Sequence, residues 1–262
     1  MLIAVINNST LVTNDQVNTM CQAIQIQFNL HVLPAWNIRS CTIQFFPNPK
    51  LVPGWAWSIF VIDNDAQVQG ALGFHVEDND KIDGYVMCKP ILDNGGTALV
   101  FDPKNTQQYT VSGTLSHEAI EMVGDRFTNT FMDNGNISWC MELCDPVEQI
   151  GYGIQANGIN VSVSDFVFPS FFNPNATLPQ NVPFNYLNTL KTPFSILPGG
   201  YAIQRTGGPG TETQVFGALM PQWRIAMKKH DLSRFNQRKD IDRKYIETKQ
   251  GLELVIADKL IK

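Results

Sequence analysis

Apolar positions along the chain change period several times, and each change marks an element. Residues 2–6, Leu-Ile-Ala-Val-Ile, run unbroken into Asn7-Asn8-Ser9, which predicts a buried strand. Asn14-Asp15 opens a helix with Val17, Met20, Cys21, Ile24 and Phe28 on one face. Residues 41–46, Cys-Thr-Ile-Gln-Phe-Phe, alternate as a strand should, and residues 56–63 read as another. Gly-Ala-Leu-Gly-Phe-His, 70–75, is short and glycine-containing, and is expected at a sheet edge where another backbone approaches. Residues 83–91 form a further expected strand, ended by the turn Asp93-Asn94-Gly95-Gly96.

Helical spacing then returns at residues 109–126. Val111, Leu115, Ala119, Met122 and Val123 make an apolar stripe. Asn105 with Gln108 offers a capping-box-like start, and Gly124 a stop. On this helix His117 and Glu121 stand four apart and share a face, with Glu118 beside them. The layout is that of H-E-x-x-H zinc hydrolases, with Glu121 in place of the second histidine. A carboxylate is an ordinary zinc ligand, so H-E-x-x-E keeps two ligands and a proton-handling glutamate. Solvated helix faces also carry such residues. The apolar stripe, which implies burial on one side, favours a site.

A stop after the motif lets the chain turn and bring a third ligand underneath. In Cys-Met-Glu-Leu-Cys-Asp-Pro-Val-Glu, 140–148, Glu142 and Asp145 are the candidates, with a self-capping turn as the plain alternative. Asp125 is the rival. It lies eight residues past His117, about 12 Å along an unbroken helix, and joins only if Gly124 breaks the helix. Cys140 and Cys144 lack a second pair and read as packing or weakly redox-active thiols. Residues 127–139 read as a polar loop. Residues 151–226 show no helical period and are expected to form short strands and ordered loops, with the aromatics of 162–172 filling a core or walling a cleft. The glycine-rich 206–217 reads as a turn into a strand, not a phosphate loop.

Composition adds a boundary. Net charge is −5 overall, but residues 222–262 hold eleven of the nineteen Lys+Arg and six of the twenty-four acidic residues. That segment is therefore +5 and the rest −10, which suggests a tail with a separate job, ending in a strand at 251–258. Acidic Asp240, Asp242 and Glu247 are interleaved there, and aromatics that could stack on bases are few, Phe235 and Tyr245 among them. A protein-docking arm fits better than nucleic-acid binding. No apolar run approaches the ~20 residues that span a bilayer. The N-terminus reads as a strand and not a signal peptide. Five cysteines with no framework spacing point to a reducing cytoplasm.

The ordered set of Gly-Ala-Leu-Gly-Phe-His, the 84–92 strand, Ser116-His-Glu-Ala-Ile-Glu-Met-Val-Gly-Asp125, Glu142-Leu-Cys-Asp-Pro146, the 162–172 aromatics and Leu197-Pro-Gly-Gly-Tyr-Ala-Ile-Gln-Arg205 resembles a set of zincin-like proteins of bacteriophages and bacteria. Their shared form is S-H-E-x-x-E-x-x-x-D followed by E-x-x-D-P, and the similarity covers roughly residues 1–226. The resemblance implies an α+β, zincin-like fold: a twisted mixed sheet with a backing helix and an active-site helix over residues 1–127, then a loop- and β-rich subdomain over 128–226. The charged extension occupies 227–262. It further implies His117 and Glu121 as zinc ligands, Glu118 as general base, Glu142 or Asp145 as the downstream acidic ligand, and Asp125 as the acidic residue ending the helix. Relatives commonly have Asp-Pro there, where this chain has Asp125-Arg126.

The expected function is a zinc-dependent hydrolase acting on a peptide or protein. The alternative is a virion structural protein, tail- or head-associated, that docks on neighbouring subunits through residues 227–262 and keeps the scaffold with a structural metal or none.

Overall fold

The computed structural model describes residues 1–64, 71–78, 81–105, 107–125, 130–176, 183–207 and 211–218. The charged segment 227–262, its expected strand at 251–258, and Arg126 lie outside the described residues. The chain is mixed α+β. A five-stranded sheet has the order β2-β1-β3-β5-β4, built from β1 (Leu2–Asn7), β2 (Thr42–Phe45), β3 (Trp57–Ile62), β4 (Gly73–Asp78) and β5 (Lys81–Met87). The β2-β1-β3-β5 pairs are parallel, and β4 joins the edge antiparallel to β5.

The first helix, Asn14–Gln27, starts on a capping box in which Thr13 accepts from Gln16 N and Gln16 returns the bond to the Thr13 backbone. Its expected face, Val17, Met20, Cys21 and Ile24, is buried, and Phe28 continues that face into a short π-helical segment. This helix covers β1 and β2, while a second long helix, Val111–Gly124, covers β3, β4 and β5. The second is the motif helix. Its cap is Thr110, whose side chain accepts from Gly113 N, and not the expected Asn105. Pairing of Thr97 with Thr110 holds the segment before the helix extended, so the helix can begin only after it.

Two other expectations shift. The strand expected over 83–91 ends at Met87, and Cys88–Leu92 coil into a helical turn whose Lys89 N donates to Asp63 O. The polar stretch 127–139 is not a loop throughout: β6 (Phe131–Asn134) and β7 (Ile137–Cys140) form a hairpin with the two-residue loop Gly135-Asn136, Gly135 at φ +66°. Gly-Asn between short strands is a hairpin signal, and the polarity of the stretch masks it.

Beyond it, β8 (Gly151–Ala156) and β9 (Ile159–Ser164) pair as a second hairpin. The strands β10 (Tyr201–Arg205) and β11 (Glu212–Phe216) extend β6 and β7 into a four-stranded sheet. The aromatics expected to fill a core do so: Phe166, Phe171 and Phe172 are buried, and Trp139 and Phe194 pack against Phe171. A single apolar cluster runs from Ile3 to Ala202, so the β-rich half and the sheet share one core. No helix among the described residues is long and apolar enough to cross a membrane.

The loop after β9 is organised by one buried acid. The Asp165 carboxylate accepts from Asn185 Nδ2, Phe166 N and Leu187 N, and the Asn185 amide oxygen in turn accepts from Thr189 N and Leu190 N. Burial nevertheless outweighs these donors and pushes Asp165 up to about 7. A carboxyl raised in the folded state favours folding fully below its unfolded pKa, and that contribution is lost as pH rises through the folded one. Thermal stability should therefore decline by a few kcal/mol between about pH 4 and pH 7. Melting curves of Asp165→Asn should lack that slope across the same window.

Candidate metal centre

The motif helix is half apolar and half polar, yet both halves are buried. Leu115, Ala119 and Met122 face the sheet core, and Met122 lies against Gly84 of β5, where a Cβ would come within 3.1 Å of its sulfur. The polar side is braced by neighbours. Ser112 Oγ donates to Ser162 O at 2.7 Å. Ser116 Oγ donates to Gln27 Oε1 of the first helix at 2.7 Å and accepts from Ser164 N at 3.1 Å. These bonds fix the rotation of the helix about its own axis. That rotation aims His117, Glu118 and Glu121 together.

The structure brings His117, Glu121 and Asp145 together. His117 Nε2 lies 3.1 Å from Glu121 Oε1 and 3.2 Å from Asp145 Oδ1. Glu121 Oε1 also accepts from Cys144 N at 3.3 Å, and ligand atoms of His117, Glu121 and Cys144 fall within 4.8 Å of one another. Burial opposes charge on His117, but the Glu121 charge and the hydrogen bonds to Asp145 and Glu121 outweigh it and hold the imidazole well above its ordinary pKa. Burial, followed by the Glu121 charge, pushes the Cys144 thiol far up, so without an ion it stays protonated.

Glu118 turns to a different partner. His75 Nδ1 lies 3.1 Å from Glu118 Oε2 and 3.9 Å from Glu121 Oε2. At the end of the short 70–75 segment, His75 reads from sequence either as a residue facing the cleft or as a satisfied surface or core histidine. In the structure β4 runs on to Asp78, and His75 pairs with Gly84 of β5, which puts it on the helix side of the sheet. Its neighbour Phe74 points the other way and stacks on Tyr85. The apolar-polar alternation of Gly-Phe-His-Val is the signal that could have found it. Gly73 is also required: a Cβ there would come within 2.6 Å of Glu118 Oε1.

Glu142 and Asp125 sit deeper. Glu142 groups with His75 and Glu121, and separately with Asp125 and Cys140, each set within 4.8 Å. Asp125 is the residue that ends the helix, and both its oxygens accept from Thr130 N at 3.1–3.2 Å. The structure does not bring Asp125 into the His117 group. All five carboxylates and both histidines are buried, none more than 5 % exposed. Such groups could hold a metal ion.

The returning segment 140–147 reaches the helix because two glycine positions let it. A Cβ on Gly124 would run into Leu143, and one on Gly200 would meet Pro146 O at 2.5 Å. Leu197 N donates to Pro146 O at 2.9 Å and Val167 N to Leu143 O at 2.8 Å, which pins the turn from both sides.

Above the site a cleft opens, about 710 Å³ counted out to solvent. His117 and Glu118 lie at its floor, Leu72 and the first edge-strand residue Gly73 on one wall, and Gly151 and Val163 of the hairpin opposite. No family model, curated protein or solved structure matches the chain.

Gly124→Ala should cost about 1–3 kcal/mol, the usual penalty of overpacking a tight contact. In a Leu143→Ala background the added cost should vanish. A double-mutant cycle on denaturation midpoints measures this coupling.

Proposed function

We propose that the chain is a metal-dependent hydrolase, a zinc peptidase in its simplest form, built on a zincin-like arrangement of edge strand, cleft and motif helix. The observation that carries this reading is the convergence of Glu121 Oε1 and Asp145 Oδ1 on His117 Nε2, just beneath the cleft that His117 and Glu118 themselves line. The donor set fits such an ion. Tetrahedral nitrogen and oxygen ligands at about 2.0 Å from zinc stand about 3.3 Å from each other. From His117 Nε2 the two carboxylates stand at 3.1 and 3.2 Å, and His117, Glu121 and Cys144 are the three residues whose donor atoms all fall within 4.8 Å of one another. Imidazole with carboxylates suits zinc, and also manganese or cobalt.

When bound, the ion supplies Lewis acidity toward water and a substrate carbonyl. The protein's own groups do the rest. His117, Glu121 and Asp145 hold the ion, and His117 must give up the proton that the two carboxylates favour. Glu118 takes a proton from the attacking water and returns it to the leaving amine. His75, 3.1 Å from Glu118 Oε2, fixes the direction of that carboxylate. Among the described residues β4 pairs with β5 alone, and Gly73 at its start lines the cleft, where an extended peptide can add as a further strand. Ser162 to Ser164 line the opposite wall.

Glu118→Gln should keep its metal and lose hydrolysis by about 10²- to 10⁴-fold. His117→Ala should lose the ion as well. Elemental analysis beside a peptide-cleavage assay reads both, and unchanged turnover in Glu118→Gln sinks the assignment. Because protons compete for His117, zinc affinity should fall as pH is lowered, which equilibrium dialysis at stepped pH measures.

A further inference from the structure

We propose that the chain holds a second divalent ion, bound by His75, Glu142 and the far oxygen of Glu121, so that Glu121 bridges two ions. The inference rests on the reading of the first position and extends it.

Glu121 presents its two oxygens to different partners. Oε1 faces His117 Nε2 at 3.1 Å, and Oε2 faces His75 Nδ1 at 3.9 Å, a nitrogen that stands nearer Glu118 Oε2, at 3.1 Å, and would give up that contact to an ion. On the Oε2 side, donor atoms of His75, Glu121 and Glu142 lie within 4.8 Å of one another, and all three side chains are at most 2 % exposed. They come from the edge strand, the motif helix and the returning segment, the last two of which also supply the first position. An imidazole and two carboxylates match the donor types of the first position.

Charge favours the same conclusion. Glu118, Glu121, Asp125, Glu142 and Asp145 carry a formal −5 in one buried volume with His75 and His117. With both imidazoles neutral, as ligands must be, one divalent ion leaves a formal −3 and two leave −1. Buried net charge is costly, so the second ion relieves what the first does not. The neighbouring group of Asp125, Cys140 and Glu142 competes for Glu142. Asp125 is already committed to Thr130 N through both oxygens, so the His75 side is the better position.

The test uses the full chain, stripped with chelator and dialysed against zinc chloride or cobalt chloride at neutral pH. Wild type should hold two ions. Glu142→Gln and His75→Gln should each hold one, with far-ultraviolet circular dichroism showing that they are folded. Should both variants unfold, cobalt-loaded wild type decides: a carboxylate bridge couples the two ions, so the paramagnetic resonance signal per cobalt should drop between half and full loading. Two uncoupled ions overturn the bridge. A thiolate-to-cobalt charge-transfer band that Cys140→Ala abolishes moves the second ion to the Asp125 side and overturns the assignment. One ion, lost in His117→Ala and kept in Glu142→Gln, overturns the second position while the hydrolase reading stands. No ion in any protein removes both.

Discussion

Glu121 is fully buried in the last turns of a core helix, and the surrounding structure is arranged to tolerate its charge. A carboxylate in that position is costly unless it is met by donors of good geometry. The chain brings partners from three directions: His117 from the same helix and Cys144 N from the returning segment as donors, and His75 from the sheet edge at 3.9 Å, near enough for charge attraction and too far for a hydrogen bond. Each partner imposes a condition. His117 requires an intact helix through residue 121. Cys144 N requires the chain after β7 to fold back under the helix end. His75 requires β4 to lie antiparallel at the edge and in the register that turns the imidazole inward. One buried charge thus couples helix, sheet edge and return segment.

The conditions explain why part of the molecule could be read from sequence and part could not. The motif helix, its apolar stripe and the pairing of His117 with Glu121 are local facts, set by a period of 3.6. The strands of the main sheet are legible for the same reason, because Leu2–Ile6 and Trp57–Ile62 are short apolar runs bounded by turn residues. Which of Glu142 and Asp145 lies beside His117 is not legible in the sequence. It depends on Leu143 seating against Gly124 and on Gly200 admitting Pro146, contacts across 19 and 54 residues of sequence. The role of His75 depends on strand register, which a one-residue slip would reverse. The cap at Thr110 was missed because a bridge to Thr97, not a capping motif, decides where the helix begins.

The glycines of this fold mark approach rather than flexibility. Gly73, Gly84, Gly124 and Gly200 each stand where another segment occupies the space of a Cβ, and none of the four has positive φ. Three of them bound the ionisable cluster: Gly73 against Glu118, Gly124 against Leu143, Gly200 against the backbone of Asp145 and Pro146. Close packing of backbone is how the chain places ligand groups on rigid elements and not on exposed loops. Such placement holds donor atoms within a few tenths of an ångström of useful geometry.

On the proposed reading, the donor set also shapes the chemistry. Replacing an imidazole by Glu121 lowers the net charge of a loaded site and so weakens the ion's pull on water and carbonyl. A less acidic water is a better nucleophile once deprotonated, but it gives up its proton less readily. The burden therefore moves to Glu118. Glu118 is itself buried, at 1 % exposure, and His75 Nδ1 stands 3.1 Å from its carboxylate. An imidazolium or a metal ion there would attract the carboxylate, the ion with the larger charge. The balance of the site thus turns on what sits at His75 Nδ1, a proton or a metal. The edge strand supplies that control, although the H-E-x-x-E pattern on the helix is the more conspicuous feature of the chain.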